Sequence, residues 1–315
     1  MSKWVTAYAP ASIGNLGVGF DMLGLALQGA GDHVSARRVD STGISVAEVR
    51  GPDGKPHPAL STNPLENTAS IAAQALWDAQ SEPGGAELRV FKGVPLQSGM
   101  GSSASSAVAG VVAVNALLAK PLPIAELLTY ALAGEKYASG GLHADNVAAS
   151  LLGGLVLCPP ALLPATISLP VPTGVSAVLL HPELQVNTAA ARSKLATRYS
   201  IDQWRDQQGY LAGFIAACAA NDIDLIRDTL KDVVIEPQRS AAVSCFVEVK
   251  AAALQAGALG CSLSGSGPSI FALAEHHHAR NIASAMEQAC RMTGIECQSW
   301  VSPMTVPGAY VEAEE

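Results

Sequence analysis

The sequence predicts an α+β fold in two parts, an N-terminal half over residues 1–165 and a C-terminal half over 166–315. Three observations point there. At 315 residues the chain passes the roughly 250–300 residues at which single cores stop growing, so two cores are expected. Strand-like and helix-like segments alternate irregularly, without the repeated unit of a barrel or a solenoid. Near the middle lies PPALLPATISLPVP, whose prolines suit a connection between domains.

Residues 3–8 alternate as a strand does, and APASIGNLGVGFDMLG follows as a glycine-rich turn before more strand-like sequence. The apolar spacing over 66–79 predicts an amphipathic helix opened by Asn63-Pro64, and ELRVFK at 87–92 predicts a strand. Lys92, at the end of that strand, reads as a surface lysine. Helices are expected at about 103–119 and 124–138. A second glycine-rich crossing, ASGGLHADNVAASLLGG, leads into the strand GLVLCP. Past the proline-rich segment, GVSAVLLHP predicts a strand, and helices are expected over 202–219, 222–232 and 240–256. CSLSGSGPSIFALA reads as strand–turn–strand, followed by a helix from about 277 to 293 and a final strand near 296–302.

Hydrophobic residues make up 49% of the chain and charged residues 15%, which suits a large core and argues against disorder. A net charge of −8 with no basic stripe argues against a nucleic-acid partner. MSKWVTAYAP has no apolar h-region, so no signal peptide is expected, and no window reaches the ~20 apolar residues of a membrane span. Six cysteines without CxxC spacing argue against zinc and fit a cytoplasmic setting with reduced thiols. His276, His277 and His278 read as a solvated loop or helix start rather than a metal site.

Three glycine-rich loops stand out. In PLQSGMGSSASSAVA, at 95–109, Ser102 and Ser103 sit where a helix must begin, and serine is a preferred N-cap. The first turn of a helix carries unpaired N–H groups and a partial positive charge, which attract an anion. Gly99 and Gly101 would let the backbone approach it. Taken alone, GMGSS also reads as a tight turn into a capped helix. The tract lacks the lysine of a Walker A loop. In PASIGNLGVGFDMLG, at 10–24, Asn15 and Asp21 are polar groups in an apolar stretch, and a buried carboxylate needs a partner. For Asn15 a local Asx turn is the alternative. SGSGP at 264–268 brings backbone close to a ligand or to a packed helix.

With PLQSGMGSSA at 95–104, the chain resembles the GHMP kinase superfamily, whose phosphate loop has the form P-x-x-x-G-L-G-S-S-A. Met100 stands for the usual Leu and Gln97 for a frequent Gly. Within that superfamily the chain is similar to the homoserine kinase family over nearly its whole length. APASIGNLGVGFDMLG, SGGLHADNVAASLLGG, HPELQVNTAAAR, EPQR and SLSGSGPSIFAL match that family's blocks in order, with Ile13-Gly14 departing from its Ser-Ala. The resemblance implies a two-domain GHMP kinase fold: an N-terminal nucleotide-binding α+β half and a C-terminal ferredoxin-like α/β sandwich. It also implies phosphoryl transfer from ATP to L-homoserine, on the route to threonine. Another small-alcohol kinase of mevalonate or sugar type, and a non-catalytic ligand sensor, are the alternatives. Ser103, Glu135 and the HADN block would be dispensable in a sensor.

By resemblance, Pro95, Leu96, Gln97, Ser98, Gly99, Met100, Gly101, Ser102, Ser103, Ala104 and Ser105 cradle ATP, and Ser103 with Glu135 holds Mg2+. A hydroxyl and a carboxylate are the hard oxygen ligands that magnesium takes. Arg192 and Arg239 match the positions for the substrate carboxylate, which suits arginine's fork. Asp21 would meet the ammonium; Asn15, His143, Asp145, Asn146, Thr188 and Gly265 would line the remainder. Related mevalonate kinases carry an aspartate where Asn146 stands, and an amide takes no proton at neutral pH. Asp145 is adjacent, although neighbours on an extended segment point opposite ways. The expected mechanism therefore has no dedicated side-chain base, and the γ-phosphate accepts the proton. A homodimer is the commonest assembly for such enzymes.

Overall fold

The computed structural model describes residues 3–139, 141 and 143–314. The chain runs β1 (Val5–Gly14), β2 (Leu23–Val39), β3 (Gly43–Arg50), α1 (Thr68–Ala79), β4 (Gly85–Phe91), α2 (Ser102–Asn115), α3 (Leu128–Ser139), α4 (Ala144–Leu152) and β5 (Leu155–Leu157). It continues with β6 (Ile167–Leu169), β7 (Val175–Pro182), α5 (Thr188–Ser193), α6 (Ile201–Ala220), α7 (Ile223–Thr229), α8 (Glu236–Arg239) and α9 (Phe246–Gln255). Last come β8 (Gly260–Leu263), β9 (Ile270–Glu275), α10 (Ala279–Met292), β10 (Cys297–Pro303) and β11 (Tyr310–Glu314).

Two sheets organise these elements. In the first, β11, β1, β2, β4 and β3 lie side by side, and β5 and β6 extend it from β2. In the second the order is β10, β7, β9, β8, all antiparallel. Helix α2 is buried along nearly its whole length, because α1, α3, α4 and the first sheet surround it. A sequence apolar on every side, SSASSAVAGVVAVN, can be stable only in such a place.

A bulge explains how the halves share a core. Between Pro10 and Ala11 the β1–β2 register slips, so that Gln28, Gly29 and Ala30 have no partner on β1. Ala7 and Ala9 pack under the helices, whereas Ala11 and Ile13, of the same parity, pack with Leu179, Phe214 and Phe271 of the C-terminal half. Period-2 alternation cannot place 7, 9, 11 and 13 in two cores unless the strand turns over, and the bulge turns it.

Several expectations are corrected. The turn expected at 10–24 begins later, since β1 continues to Gly14. The crossing expected around HADN contains helix α4, with glycines only at its ends. The helix expected over 240–256 starts at Phe246, and that over 222–232 ends at Thr229. Past residue 165 the chain twice rejoins the first sheet: β6 pairs with β5, and β11 with β1.

Candidate active site

Helix α2 opens on Gly101, not on a serine. Gly101 has φ +69° and no side chain caps the helix. Ser102 Oγ instead donates to Val94 O at 3.0 Å, which pins the loop across its base. A serine cap would occupy an N-terminal amide; without it, those amides stay available to an anion. Gly99, at φ +76°, lies against the SGSGP loop, where an added Cβ would stand 2.5 Å from Ser264 O. Ser264 Oγ donates to Gly99 O at 2.6 Å, and Ser269 N to Ser98 O at 3.0 Å. Gly265 N reaches Gly14 O at 3.0 Å, and Asn15 Nδ2 reaches Gly265 O at 2.9 Å. The three glycine-rich loops therefore converge on one place. Gln97, in the position of a frequent Gly, adopts φ +54°, the region glycine favours.

A cavity of about 490 Å³ opens where they meet. From the loop, Leu96, Gln97, Ser98, Gly99, Gly101, Ser102 and Ser103 line it. Pro95, Met100, Ala104 and Ser105 do not. Met100 and Ala104 are buried in separate cores, and Ser105 Oγ donates to Ala9 O at 2.9 Å. The helical period accounts for this division: Ser102, Ser103 and Ser106 face the cavity, while Ala104 and Ser105 face the sheet and the other helices.

Lys92 corrects the sequence reading most sharply. It is 4% exposed, lines the cavity and forms an ion pair with Asp32. The signal was present in β4: Leu88 and Val90 are buried, and Lys92 continues their parity. Ser106, Asn67, Thr68, Asn187 and Ser266 also line the cavity and were not singled out from sequence.

Ser103 Oγ donates to Glu135 Oε2 at 2.8 Å, bringing together a hydroxyl on α2 and a carboxylate on α3. Among the described residues no cluster of three or more His, Cys, Asp and Glu could hold a metal. A hydroxyl–carboxylate pair does fit magnesium, which keeps several waters and shares phosphate oxygens.

Beside the loop, where a Cβ on Gly101 would stand 3.1 Å from Asn146 Oδ1, α4 presents Asp145 and Asn146 in its first turn, so the two do not diverge as on an extended segment. Ser12 Oγ donates to Asn146 Oδ1 at 2.9 Å, and Asn146 Nδ2 lies 3.3 Å from Asp145 Oδ1. Asn15 N donates to Asp145 Oδ2 at 3.1 Å. Burial, then the nearby Asp21 charge, pushes the Asp145 carboxyl up to about 6, despite the backbone hydrogen bonds and Arg192, which favour its ionised form.

Asp21, which the resemblance places against a substrate ammonium, has its carboxylate gripped by Arg192 through two hydrogen bonds of 2.9 and 2.6 Å. Arg239 Nη1 donates to Gly265 O at 2.9 Å. Both guanidinium carbons lie over the Phe20 ring, 5.2 Å (Arg192) and 5.1 Å (Arg239) from its centroid. Each also has a buried Nε without an acceptor among the described residues. Burial, then the neighbouring Arg192 charge, lowers the Arg239 pKa. Burial likewise lowers the His143 pKa. Thr188 Oγ1 lies 3.1 Å from Ser266 Oγ, completing the wall.

Asp145→Asn is expected to stabilise the protein without ligands at neutral pH. The aspartate titrates at about 6 in the fold against 3.8 ordinarily, so the unfolded chain releases this proton first. Stability is then lost as pH rises from 4 to 6, and an ionised Asp145 costs about 3 kcal/mol above that window. Asparagine keeps an acceptor for Asn15 N. Melting temperatures of both proteins at pH 4 and 8 check this: the variant should lead at pH 8 and lose its lead at pH 4.

Comparisons with known proteins bear on this site. The family model for the GHMP kinases N-terminal domain matches residues 67–154, and that for the GHMP kinases C-terminal domain matches 214–291. The homoserine kinase of Xanthomonas campestris pv. campestris (strain B100) is 42% identical over 308 residues, covering 98% of this chain and 94% of its own. That of Chlorobium phaeobacteroides (strain BS1) is 38% identical over 322 residues, covering 98% of this chain and 99% of its own. The crystal structure of homoserine kinase from Cytophaga hutchinsonii superposes with a TM-score of 0.93 at 39% identity, over 99% of this chain and 98% of that one. L. major mevalonate kinase in complex with R-mevalonate shares the fold at a TM-score of 0.67 and 16% identity, over 95% of this chain and 96% of that one. Matched by both family models and at 38–42% identity to homoserine kinases over nearly its whole length, the chain belongs to the GHMP kinases and, within them, to the homoserine kinases.

Proposed function

We propose that the chain transfers the γ-phosphoryl group of ATP to the hydroxyl of L-homoserine, giving ADP and O-phospho-L-homoserine for threonine biosynthesis. One observation carries the reading: an uncapped helix N-terminus and a cluster of two arginines and an aspartate face one cavity of about 490 Å³. Phosphoryl transfer needs phosphate charge neutralised and an acceptor hydroxyl held in line.

Ser98, Gly99, Gly101, Ser102 and Ser103 cradle the phosphates, chiefly with backbone amides, since Ser102 Oγ is held by Val94 O. Ser103 and Glu135 would hold Mg2+, which when bound neutralises phosphate charge. The zwitterionic substrate exchanges with the Arg192–Asp21 pair: its carboxylate goes to Arg192 and Arg239, and its ammonium to Asp21. A ligand carrying one of these charges satisfies only one member of the pair. Thr188, His143, Asn15 and Gly265 complete the acceptor pocket. Asn146 is held by Ser12 at Oδ1 and gives one Nδ2 hydrogen to Asp145 Oδ1, which leaves the other to donate towards the acceptor oxygen. As the hydroxyl oxygen bonds to the γ-phosphorus, the bond from that phosphorus to the bridging oxygen breaks and ADP leaves, while the hydroxyl proton passes to a γ-phosphate oxygen, with Asp145 holding the site rather than taking the proton. A cytoplasmic setting and a homodimer belong to the same proposal; no helix among the described residues is long and apolar enough to cross a membrane.

Phosphorus NMR of a reaction with ATP, Mg2+ and L-homoserine tests it. A phosphate-monoester signal that requires homoserine and disappears with a chelator is expected. Release of inorganic phosphate alone would contradict the proposal.

A further inference from the structure

We propose that Lys92 and Asp32 form a buried brace that sets the position of the phosphate loop, a role that rests on the kinase reading above. Both lie beneath the loop, 4% and 0% exposed. Asp32 Oδ1 accepts the amides of Gly93 at 2.9 Å and Val94 at 3.0 Å, where the loop leaves β4. Asp32 Oδ2 accepts the Lys92 ammonium, and Ser106 Oγ at 2.7 Å. Lys92 Nζ donates to Ser102 O at 2.8 Å and to Ser106 Oγ at 2.8 Å, where the loop enters α2. Ser105 Oγ accepts the Asp32 amide at 3.1 Å. Both ends of the loop are thus fastened to one ion pair.

Two physical points make Lys92 a positioning residue. An ammonium has three hydrogens, and Asp32, Ser102 and Ser106 take all three, so none is left for a phosphate. Its charge is also matched by Asp32. It therefore does not replace a Walker lysine. A buried ion pair is in addition a weak source of stability, since desolvation offsets its attraction. Its value lies in the geometry it imposes on the amides of the loop and of α2. Misplacing such groups by 1 Å can cost roughly 100-fold in rate.

The test separates position from folding. Lys92→Met alone buries an unpaired carboxylate and is expected to be unstable. The double variant Asp32→Asn/Lys92→Met removes both charges and keeps an acceptor for Gly93 and Val94, so its melting temperature should return towards wild type. Its KM for ATP should nevertheless rise about tenfold or more, with kcat also reduced, while KM for homoserine stays within about threefold. Ser106→Ala is uncharged and smaller, and cuts one strut from each partner; it should raise KM for ATP in the same sense, and serves if the double variant does not fold. A folded variant of either kind with a wild-type KM for ATP would overturn the brace. Calorimetric binding of MgADP to wild type and variants gives a readout independent of the acceptor. If wild type fails to phosphorylate homoserine, the kinase reading falls, yet weaker MgADP binding in the variants would still support the brace, and unchanged binding would reject it.

Discussion

Glu135→Gln is expected to lower kcat by about 100- to 1,000-fold, the range for losing one electrostatic contact to a charged transition state. The phosphate loop contains no lysine, and the nearby Lys92 ammonium is fully engaged by Asp32, Ser102 and Ser106. On the proposed reading a metal ion carries much of the phosphate charge, and Glu135, which accepts from Ser103 Oγ at 2.8 Å, is a carboxylate that would hold it. Glutamine preserves the shape and an acceptor for Ser103 Oγ but removes the negative charge that a divalent cation needs. The fold should remain intact, because the substituted side chain is isosteric. Steady-state kinetics across a magnesium titration, beside a thermal melt, measures both. Wild-type turnover at saturating magnesium would remove Glu135 from the metal site.

Arg192→Ala is expected to raise KM for L-homoserine by at least about tenfold while KM for ATP changes little. Truncating one partner of a buried charge pair typically costs ~2–5 kcal/mol, or roughly 30- to 5,000-fold in affinity. The Arg192 side chain is 33% exposed and that of Asp21 23%, so solvent screening moves the loss towards the low end. Loss of Arg192 also leaves Asp21 without its bidentate partner in the unliganded site. A matched rise in both KM values would mean that the residue supports the structure or the phosphates.

What could be read from sequence was what is local in it. The phosphate loop, the HADN block and the arginines lie in short blocks that the family resemblance picks out, and the cavity gathers Ser103, Glu135, Asp21, Arg192 and Arg239. Relations between distant segments were not legible. Residue type points to a serine cap for α2, whereas Gly101 is the N-cap and Ser102 Oγ is drawn to Val94 O. Lys92 reads as a surface lysine from sequence, although its parity with Leu88 and Val90 points inwards; its partner Asp32 lies 60 residues away. The Arg192–Asp21 pair spans 171 residues, and nothing local announces it. β11 closes onto β1 from the far end of the chain, a pairing set by tertiary contact rather than by pattern.

Acceptor choice tests the central claim most directly: the cavity lined by the phosphate loop recognises a zwitterion through Asp21, Arg192 and Arg239. The measurement is coupled ADP release, giving kcat/KM for L-homoserine, 3-aminopropan-1-ol, mevalonate and galactose with the wild-type protein. L-homoserine should lead by roughly 100-fold or more over 3-aminopropan-1-ol, which keeps the amine and the alcohol but leaves the arginines without a carboxylate. Mevalonate, which has a carboxylate and no ammonium, should also be poor, and galactose inactive. Equal or better turnover of 3-aminopropan-1-ol, mevalonate or galactose would contradict recognition by paired charges.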